Sequence, residues 1–340
     1  MDFLYHLGLF LAEAIIIVIA VGAIILMVVA ASLKKRHKSS GLSVENLSEH
    51  FQQMNDRLKA ELLSKPESKA FYKAQKAELK KQKKHPAEPK SKLFVIDFKG
   101  SIDAKEVRSL RQEVTSVLAV ASPSDEVLIR LESGGGMVHG YGLAASQLAR
   151  IRQAEIPLTV AVDKVAASGG YMMACIANKI ISAPFAIVGS IGVVAQLPNF
   201  HKLLKKNDID YEQITAGKYK RTLTVFGENT EEGREKFREE LEDTHHLFKD
   251  FVSHYRPQID IENVATGEHW FGTQAQDKGL VDAISTSDDY LMQRYKSCDV
   301  IQIRYETKKK LTEKLGHSVS VGIEQAIAKL IQKGNWSWLR

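Results

Sequence analysis

The sequence predicts an α/β protein in which helices cover both faces of a mostly parallel sheet. Continuous apolar runs alternate with segments of helical spacing. Strands that are buried on both faces read as uninterrupted hydrophobic runs, and their alternation with helices is typical of βαβ units. The predicted strands cover residues 93–98, 126–131, 157–162 and 179–183.

The predicted helices lie between and after these strands. The first covers residues 103–120, with Asp103 as its N-cap. A long helix over residues 230–256 begins at Thr230, which is followed by two glutamates that suit a first helical turn. Further helices are predicted at residues 139–154, from just after Ser168 to about residue 177, and at residues 200–208. Residues 211–217 are predicted to be extended. Residues 271–286 are predicted to form a short helix that ends at a glycine, followed by a strand.

The composition suits a globular protein with one basic segment. Of 340 residues, 44% are hydrophobic and 26% are charged, which excludes a disordered chain. Residues 34–92 contain 16 Lys and Arg but 7 Asp and Glu, so the net charge of +6 arises in this segment. No nucleic-acid reader motif accompanies the lysines, so nucleic acid is not a predicted partner. Cys175 and Cys298 have no metal-type spacing and are predicted to be buried thiols.

The N-terminus predicts a membrane anchor. Residues 14–33 contain no charge, and about 20 apolar residues suffice to cross a bilayer as a helix. The preceding residues contain no Lys or Arg, unlike a cleaved signal peptide. The basic residues 34–38 follow, and the positive-inside rule places such a flank in the cytoplasm. Residues 1–33 are therefore predicted to be a permanent anchor, which contacts membrane lipid.

Residues 34–92 are predicted to be a basic spacer. Apolar residues recur at helical spacing from Leu47 to Leu58. Residues 65–92 are rich in lysine and contain three prolines, which predicts a solvated linker. A basic stretch near a membrane can also contact anionic lipid.

Two glycine-rich turns follow successive predicted strands, at Ser133–Gly136 and Ala167–Gly170. Carboxyl ends of parallel strands meet at one edge of a sheet, so both turns are expected there. One turn can present a serine nucleophile while the other supplies backbone N–H groups to an oxyanion. Ser168 is the main candidate because a helix follows it; Ser190 and Ser133 are the alternatives.

The general base is less well defined by the sequence. His139, His245 and His246 are available, but no triad arrangement is recognisable, and no HExxH motif indicates a zinc site. A lysine can also act as a base when burial lowers its pKa. Lys218 and Lys220 follow a predicted extended segment, but residue type alone does not single them out.

Several ordered motifs resemble the signal peptide peptidase A family of Ser-Lys proteases, in particular its SohB-type inner membrane members. The motifs are LFVIDFKGSI, LESGGGMVHG, VAASGGYMMA, VGSIGVV and ITAGKYKRTLTVFGENTEEGREKF. The resemblance implies a ClpP/crotonase-like fold, a Ser168 nucleophile and a Lys220 base, with Lys218 as the second choice. It implies oxyanion donors at the N–H groups of Gly135 and Ser168, although Gly134 replaces the family's usual proline.

The resemblance also implies a membrane-anchored serine endopeptidase without metal or cofactor, acting on peptide or protein substrates. It implies a homo-oligomer in which serine and lysine can come from neighbouring subunits. Substrates are expected to be hydrophobic, such as signal peptide remnants, because Met137, Val138 and residues near Ile191 flank the site. The predicted regions are the anchor (1–33), the spacer (34–92), the catalytic domain (93–300) and a tail with an amphipathic helix (301–340).

Two alternatives and one conflict accompany this hypothesis. A crotonase-fold enzyme acting on acyl thioesters uses a similar oxyanion hole, and a non-catalytic membrane scaffold would need none of this chemistry. The basic flank predicts a catalytic domain on the cytoplasmic side of the bacterial inner membrane. Family relatives, by contrast, work on its outer side.

Overall fold

The computed structural model describes residues 41–84 and 90–306. Within them, Leu42–Tyr305 forms a compact unit built around a seven-stranded sheet of order β1-β10-β2-β3-β4-β6-β9. A three-stranded sheet of order β5-β7-β8 stands beside it. The strands are β1 (Gly41–Asn46), β2 (Lys92–Lys99), β3 (Glu126–Glu132), β4 (Leu158–Val162), β5 (Val165–Ala167), β6 (Lys179–Ser182), β7 (Ile187–Gly189), β8 (His269–Phe271), β9 (Ala283–Ile284) and β10 (Asp299–Glu306).

Helices follow most of these strands, as the sequence predicts for an α/β protein. The longest one begins at the predicted cap, where the Thr230 side chain accepts a hydrogen bond from the N–H of Gly233. The described helices are α1 (Leu47–Leu62), α2 (Lys65–Lys84), α3 (Val107–Leu118), α4 (Val138–Gln153), α5 (Gly169–Ala174), α6 (His201–Lys206), α7 (Glu231–Tyr255), α8 (Ile261–Val264), α9 (Gly272–Asp277) and α10 (Ser287–Arg294).

The predicted parallel sheet is confirmed. Strands β10, β2, β3, β4, β6 and β9 pair in parallel with one another, in this order. One face packs against α3, α4, α5 and α7, and the other packs against α1 and α10. Both faces of the sheet are buried from solvent, which explains why the strands are continuous apolar runs. This sheet positions the first glycine turn, which follows β3, and the three-stranded sheet positions the second, which follows β5.

The prediction that a helix starts at Asp103 was wrong, because that helix, α3, begins at Val107. The side chain of Asp103 accepts a hydrogen bond from the Ser101 hydroxyl instead of capping the helix. The Ile102 carbonyl accepts the N–H of Met137, at the start of α4. These contacts hold residues 101–106 as a loop against the first glycine turn.

Two other expectations also differ from the structure. Residues 211–217 form no strand, because no adjacent segment in the described part of the protein makes strand-type backbone hydrogen bonds with them. Lys65–Lys84, expected to be a linker, forms helix α2. Its Lys, Ala, Glu and Gln residues are good helix formers. The Gln75 amide also donates a hydrogen bond to the Asp56 carboxylate of α1.

Several predictions concern residues at or beyond the limits of the described chain. The predicted anchor within residues 1–33 and the predicted tail helix lie outside the described residues. Among residues 41–84 and 90–306, no helix is long and apolar enough to cross a bilayer. The predicted domain boundary at residue 300 falls within β10, which pairs with β2 as far as Ile303. Both cysteines are free and buried, as predicted.

Glu113 predicts a pH-dependent stability. This α3 residue is 4% exposed, and its carboxylate accepts the N–H of Tyr305 in β10. Burial raises the pKa of Glu113 to about 7. When a carboxyl has a higher pKa in the folded state than in the unfolded state, the folded protein loses stability as the pH rises from the ordinary pKa to the raised one. We therefore expect Glu113→Gln to be more stable than wild type at pH 8, by on the order of 1–3 kcal/mol.

Urea unfolding at pH 5 and pH 8 measures this difference. The advantage of Glu113→Gln should shrink towards pH 5, where the wild-type carboxyl is protonated in the folded protein. Glu155→Gln, at an exposed position, is the control and should leave the pH dependence unchanged. Equal stability of wild type and Glu113→Gln at both pH values would contradict the assignment.

Candidate active site

Ser168 lies in a strained turn between β5 and α5. Its φ of 52° and ψ of −120° are unusual for a residue with a side chain. Such a conformation costs about 1–3 kcal/mol and persists only where the surroundings impose it. The N–H of Ser168 donates to the Gly189 carbonyl at 2.8 Å, which fixes the turn. The Ser168 hydroxyl has no hydrogen-bond partner among the described residues, and the side chain is half-buried.

The two glycine turns touch each other, as expected, although the second follows β5 of the three-stranded sheet and not a strand of the central sheet. The Ser133 N–H donates to the Val165 carbonyl, and the Ser133 carbonyl accepts the N–H of Ala167. Gly135 has a φ of 86°, and a Cβ there would lie 2.7 Å from both the Ser168 Cβ and the Gly169 nitrogen. Only glycine allows this approach. The first turn therefore places bare backbone against the Ser168 turn.

A cavity of about 1030 Å³ opens over these turns. Its apolar wall comes from α4, α5 and α7, and its other side from the chain that leaves β7. Among the described residues, no Lys, Arg, Asp or Glu lines it. The apolar wall includes Gly142, Met172, Leu247, Phe248 and Phe251. The polar side chains that line the cavity include Ser168, Ser190 and His245.

The alternative serines occupy different environments. Ser133 is 2% exposed, and its hydroxyl contacts the Tyr141 hydroxyl and accepts the N–H of Gly135. This buried, bonded hydroxyl is not available to a substrate. Ser190 lines the cavity with a φ of 51°, and its hydroxyl has no partner in the described part of the chain. However, coil rather than a helix follows Ser190, so its hydroxyl does not stand at a helix N-terminus.

The predicted oxyanion donors are both engaged in this structure. The Ser168 N–H is bonded to the Gly189 carbonyl because the strained turn directs it towards β7. The Gly135 N–H donates to the Ser133 hydroxyl at 3.0 Å. The next N–H in each turn, at Gly169 and Gly136, has no acceptor among the described residues. Residue type alone does not indicate the direction in which each of these N–H groups points.

The lysines are not brought to Ser168 within one chain. Lys220 is exposed and does not line the cavity. Lys218 is also outside the cavity, and its ammonium lies 2.7 Å from the Glu232 carboxylate. The hydrogen bond to Glu232 raises the pKa of Lys218, which keeps this amine charged and unable to accept a proton.

Of the three candidate histidines, one lines the cavity. His245 lies on α7, with its Nε2 3.3 Å from the Ile191 carbonyl. A carbonyl only accepts hydrogen bonds, so Nε2 carries the hydrogen in this contact. His139 and His246 are exposed and lie outside the cavity lining.

A buried cluster that the sequence did not predict supports α5. The Tyr171 hydroxyl, fully buried on α5, donates to the Leu280 carbonyl at 3.0 Å. Arg256 is 3% exposed and forms a bidentate pair with Asp282, with distances of 2.9 and 2.7 Å. Arg256 also donates to the Gly279 carbonyl. The cluster ties the helix that follows Ser168 to the chain before β9.

Comparisons with known proteins assign the chain to a family. Residues 2–148 match the description "Peptidase family S49 N-terminal", and residues 150–300 match "Peptidase family S49". The chain belongs to peptidase family S49. The family match spans both glycine turns and the cavity that they share. The S49 chain is therefore a peptidase, and the resemblance noted in its motifs is confirmed.

Relatives of this S49 chain include proteases named SohB. One from Haemophilus influenzae, a "Probable protease SohB", is 50% identical over 326 residues, covering 93% of this chain and 92% of the relative. Another, from Buchnera aphidicola subsp. Acyrthosiphon pisum, is 57% identical over 247 residues, covering 73% and 74%.

Among solved structures, similarity is lower. A membrane-bound stomatin-specific protease with a substrate peptide has a TM-score of 0.41 and 13% identity, covering 68% of this chain and 98% of that one. A ClpP1 mutant from Listeria monocytogenes has a TM-score of 0.39 and 15% identity, covering 58% and 94%.

The strain at Ser168 predicts an unusual order of stability. Glycine adopts a φ of +52° without a Cβ penalty, whereas alanine keeps that penalty. We expect Ser168→Gly to be more stable than Ser168→Ala by about 1 kcal/mol in urea unfolding. Ser109 in α3 is the control, because there glycine should be less stable than alanine. If Ser168→Gly is the less stable variant, the turn is not strained in solution.

Proposed function

We propose that the chain is a membrane-anchored serine endopeptidase that uses Ser168 as its nucleophile and Lys220 as its general base. The observation that carries the proposal is the Ser168 hydroxyl, which stands at the N-terminus of α5 with no hydrogen-bond partner among the described residues. The protein holds it there at the expense of backbone strain. A serine with only a capping role needs no such conformation, and here it makes no side-chain cap hydrogen bond.

The reaction is an acyl transfer in two steps. The Ser168 oxygen attacks a peptide carbonyl, and its proton passes to the neutral amine of Lys220. The protonated amine then delivers a proton to the leaving nitrogen, which leaves an acyl-enzyme. Water attacks this ester, again with Lys220 as base, and releases the second product and free Ser168.

The N–H groups of Gly169 and Gly136 are suited to hold the oxyanion. Gly169 starts α5, where unbonded N–H groups and the helix dipole favour negative charge. Gly136 follows Gly135, whose backbone touches the Ser168 turn. Two such preorganised donors stabilise the tetrahedral intermediate. This assignment replaces the Gly135 and Ser168 N–H pair expected from the sequence.

A peptide substrate can be held as an added strand. The backbone groups of Gly192–Val194 have no backbone partner in the described part of the chain. The carbonyls of Gly135 and Gly136 are likewise unpaired there. These two segments flank the cavity, so an extended peptide can pair with backbone on both sides. The apolar wall favours peptides with hydrophobic side chains, such as signal peptide remnants.

The base is proposed to come from a neighbouring copy of the chain. Residues 194–229, here called the arm, carry Lys220 and expose large apolar side chains, among them Val194 (80%) and Ile214 (94%). Exposed apolar surface of this kind is typical of interaction sites. A neighbour that covers the arm can receive Lys220 and desolvate it, which lowers the pKa of a lysine.

The membrane location rests on the sequence. The uncharged residues 14–33 supply the anchor, and the proposed location is the bacterial inner membrane. The basic residues 34–38 favour a catalytic domain on the cytoplasmic side. A C-terminal reporter that is active only outside the inner membrane would reverse this orientation and leave the peptidase chemistry unaffected.

Substitutions at Ser168 and Lys220 test the proposed chemistry. We expect Ser168→Ala and Lys220→Ala each to reduce hydrolysis of a fluorogenic hydrophobic peptide at least ~10³-fold, because each removes an essential reacting group. The full chain is assayed in detergent, and the oligomeric state of each variant is measured in parallel. Ser168→Ala should lose labelling by a fluorophosphonate outright, and Lys220→Ala should be labelled far more slowly, because the base that activates Ser168 is gone.

Two matched controls accompany this assay. Lys218→Ala removes a neighbouring exposed lysine and should retain turnover. Ser190→Ala removes the alternative serine and should still be labelled by the fluorophosphonate. Wild-type turnover in Ser168→Ala would refute the proposal, whereas normal turnover in Lys220→Ala would refute the base alone.

A further inference from the structure

Gly142 is a glycine that neither packing nor backbone conformation explains. It lies inside α4, where glycine is destabilising relative to alanine. A Cβ at Gly142 would meet no atom within 4 Å. Its neighbour Gly140 differs, because a Cβ there would lie 3.0 Å from the Ala104 Cβ. The helix therefore has room for a side chain at Gly142 and carries none.

The empty space beside Gly142 belongs to the cavity over Ser168. Tyr141, the preceding residue, packs its ring where a Cβ on Gly169 would lie, 2.4 Å from Tyr141 Cγ. Met172 lines the same cavity and its N–H donates to the Ser168 carbonyl, one turn along α5. Gly142 and Ser168 therefore line the same cavity.

The rest of this wall is apolar and offers a bulky side chain many contacts. Phe248 and Phe251 are three residues apart on α7 and line the cavity together with Leu247. Phe248 is 4% exposed, so it forms part of the rigid core. No charged side chain among the described residues lines the cavity, so it offers no counter-ion to an acidic or basic substrate residue.

We propose that Gly142 determines substrate size: it leaves room for a bulky apolar side chain, aromatic or leucine-like, on the residue whose carbonyl Ser168 attacks. This inference rests on the proposed function and narrows its substrate class. A side chain at position 142 would occupy the space that the substrate fills. A change of one methylene group in the fit of a hydrophobic pocket alters the discrimination between two substrates, measured by kcat/KM, by about 10–200-fold.

The test compares two peptides that differ only at this residue, Phe in one and Ala in the other. In the full-length protein, kcat/KM should favour the Phe peptide. In Gly142→Leu, kcat/KM for the Phe peptide should fall at least ~10-fold, while the Ala peptide stays within about 3-fold of wild type. The melting temperature should stay equal or rise, because a helix-destabilising glycine is removed.

Ser146→Leu is the matched control. Ser146 lies one turn further along α4, is exposed and does not line the cavity. It should keep the wild-type preference. If Gly142→Leu cleaves both peptides in the wild-type ratio, the inference is wrong. An equal loss with both peptides and a lower melting temperature would assign Gly142 a packing role and also overturn it.

A binding experiment separates this inference from the proposed function. Dissociation constants of the two peptides are measured for Ser168→Ala and for Ser168→Ala combined with Gly142→Leu. The preference for the Phe peptide should fall at least ~10-fold in the double variant. If it does while wild type hydrolyses neither peptide, the peptidase proposal fails and the size determinant stands. An unchanged preference overturns the size determinant whatever the activity.

Discussion

The hydrogen bond from the Ser168 N–H to the Gly189 carbonyl is the constraint on which the site depends. It holds a residue with a side chain at a φ of 52°, and it directs the serine towards the cavity. The contact with Gly135 closes the turn from the other side, so the two glycine turns fix each other. Below them, the Tyr171 and Arg256 cluster keeps α5 in place. The sheet supplies the rigidity that maintains this strain.

The proposed sharing of the site between two copies accounts for the exposed position of Lys220 in the single chain. The cavity contains the Ser168 hydroxyl and the N–H groups of Gly169 and Gly136, which have no acceptor among the described residues, but Lys220 lies on the exposed arm. Phe200, Tyr211 and Phe226 form a small aromatic cluster within the arm, which gives it some internal order. A chain whose general base acts in the active site of a neighbouring copy is inactive until it assembles. Such an arrangement would confine proteolysis to the assembled protein.

The sequence predicted the central strands and the meeting of the glycine turns, because continuous apolar runs and strand–turn order determine both. It failed where a tertiary contact decides, as at residues 101–106, where the bond from Met137 to the Ile102 carbonyl displaces the helix start. It missed α2, which contains few apolar residues to reveal a helical period. The N–H directions at Ser168 and Gly169 depend on one backbone angle, and no residue pattern encodes that angle.

The most direct test of this account mixes two inactive variants. Ser168→Ala and Lys220→Ala are co-expressed with different tags and purified through both tags, and peptide hydrolysis is measured. If each site combines Ser168 of one copy with Lys220 of its neighbour, random assembly at equal amounts restores about a quarter of the wild-type activity. No recovery in a co-assembled oligomer, with each variant inactive alone, would contradict the shared site.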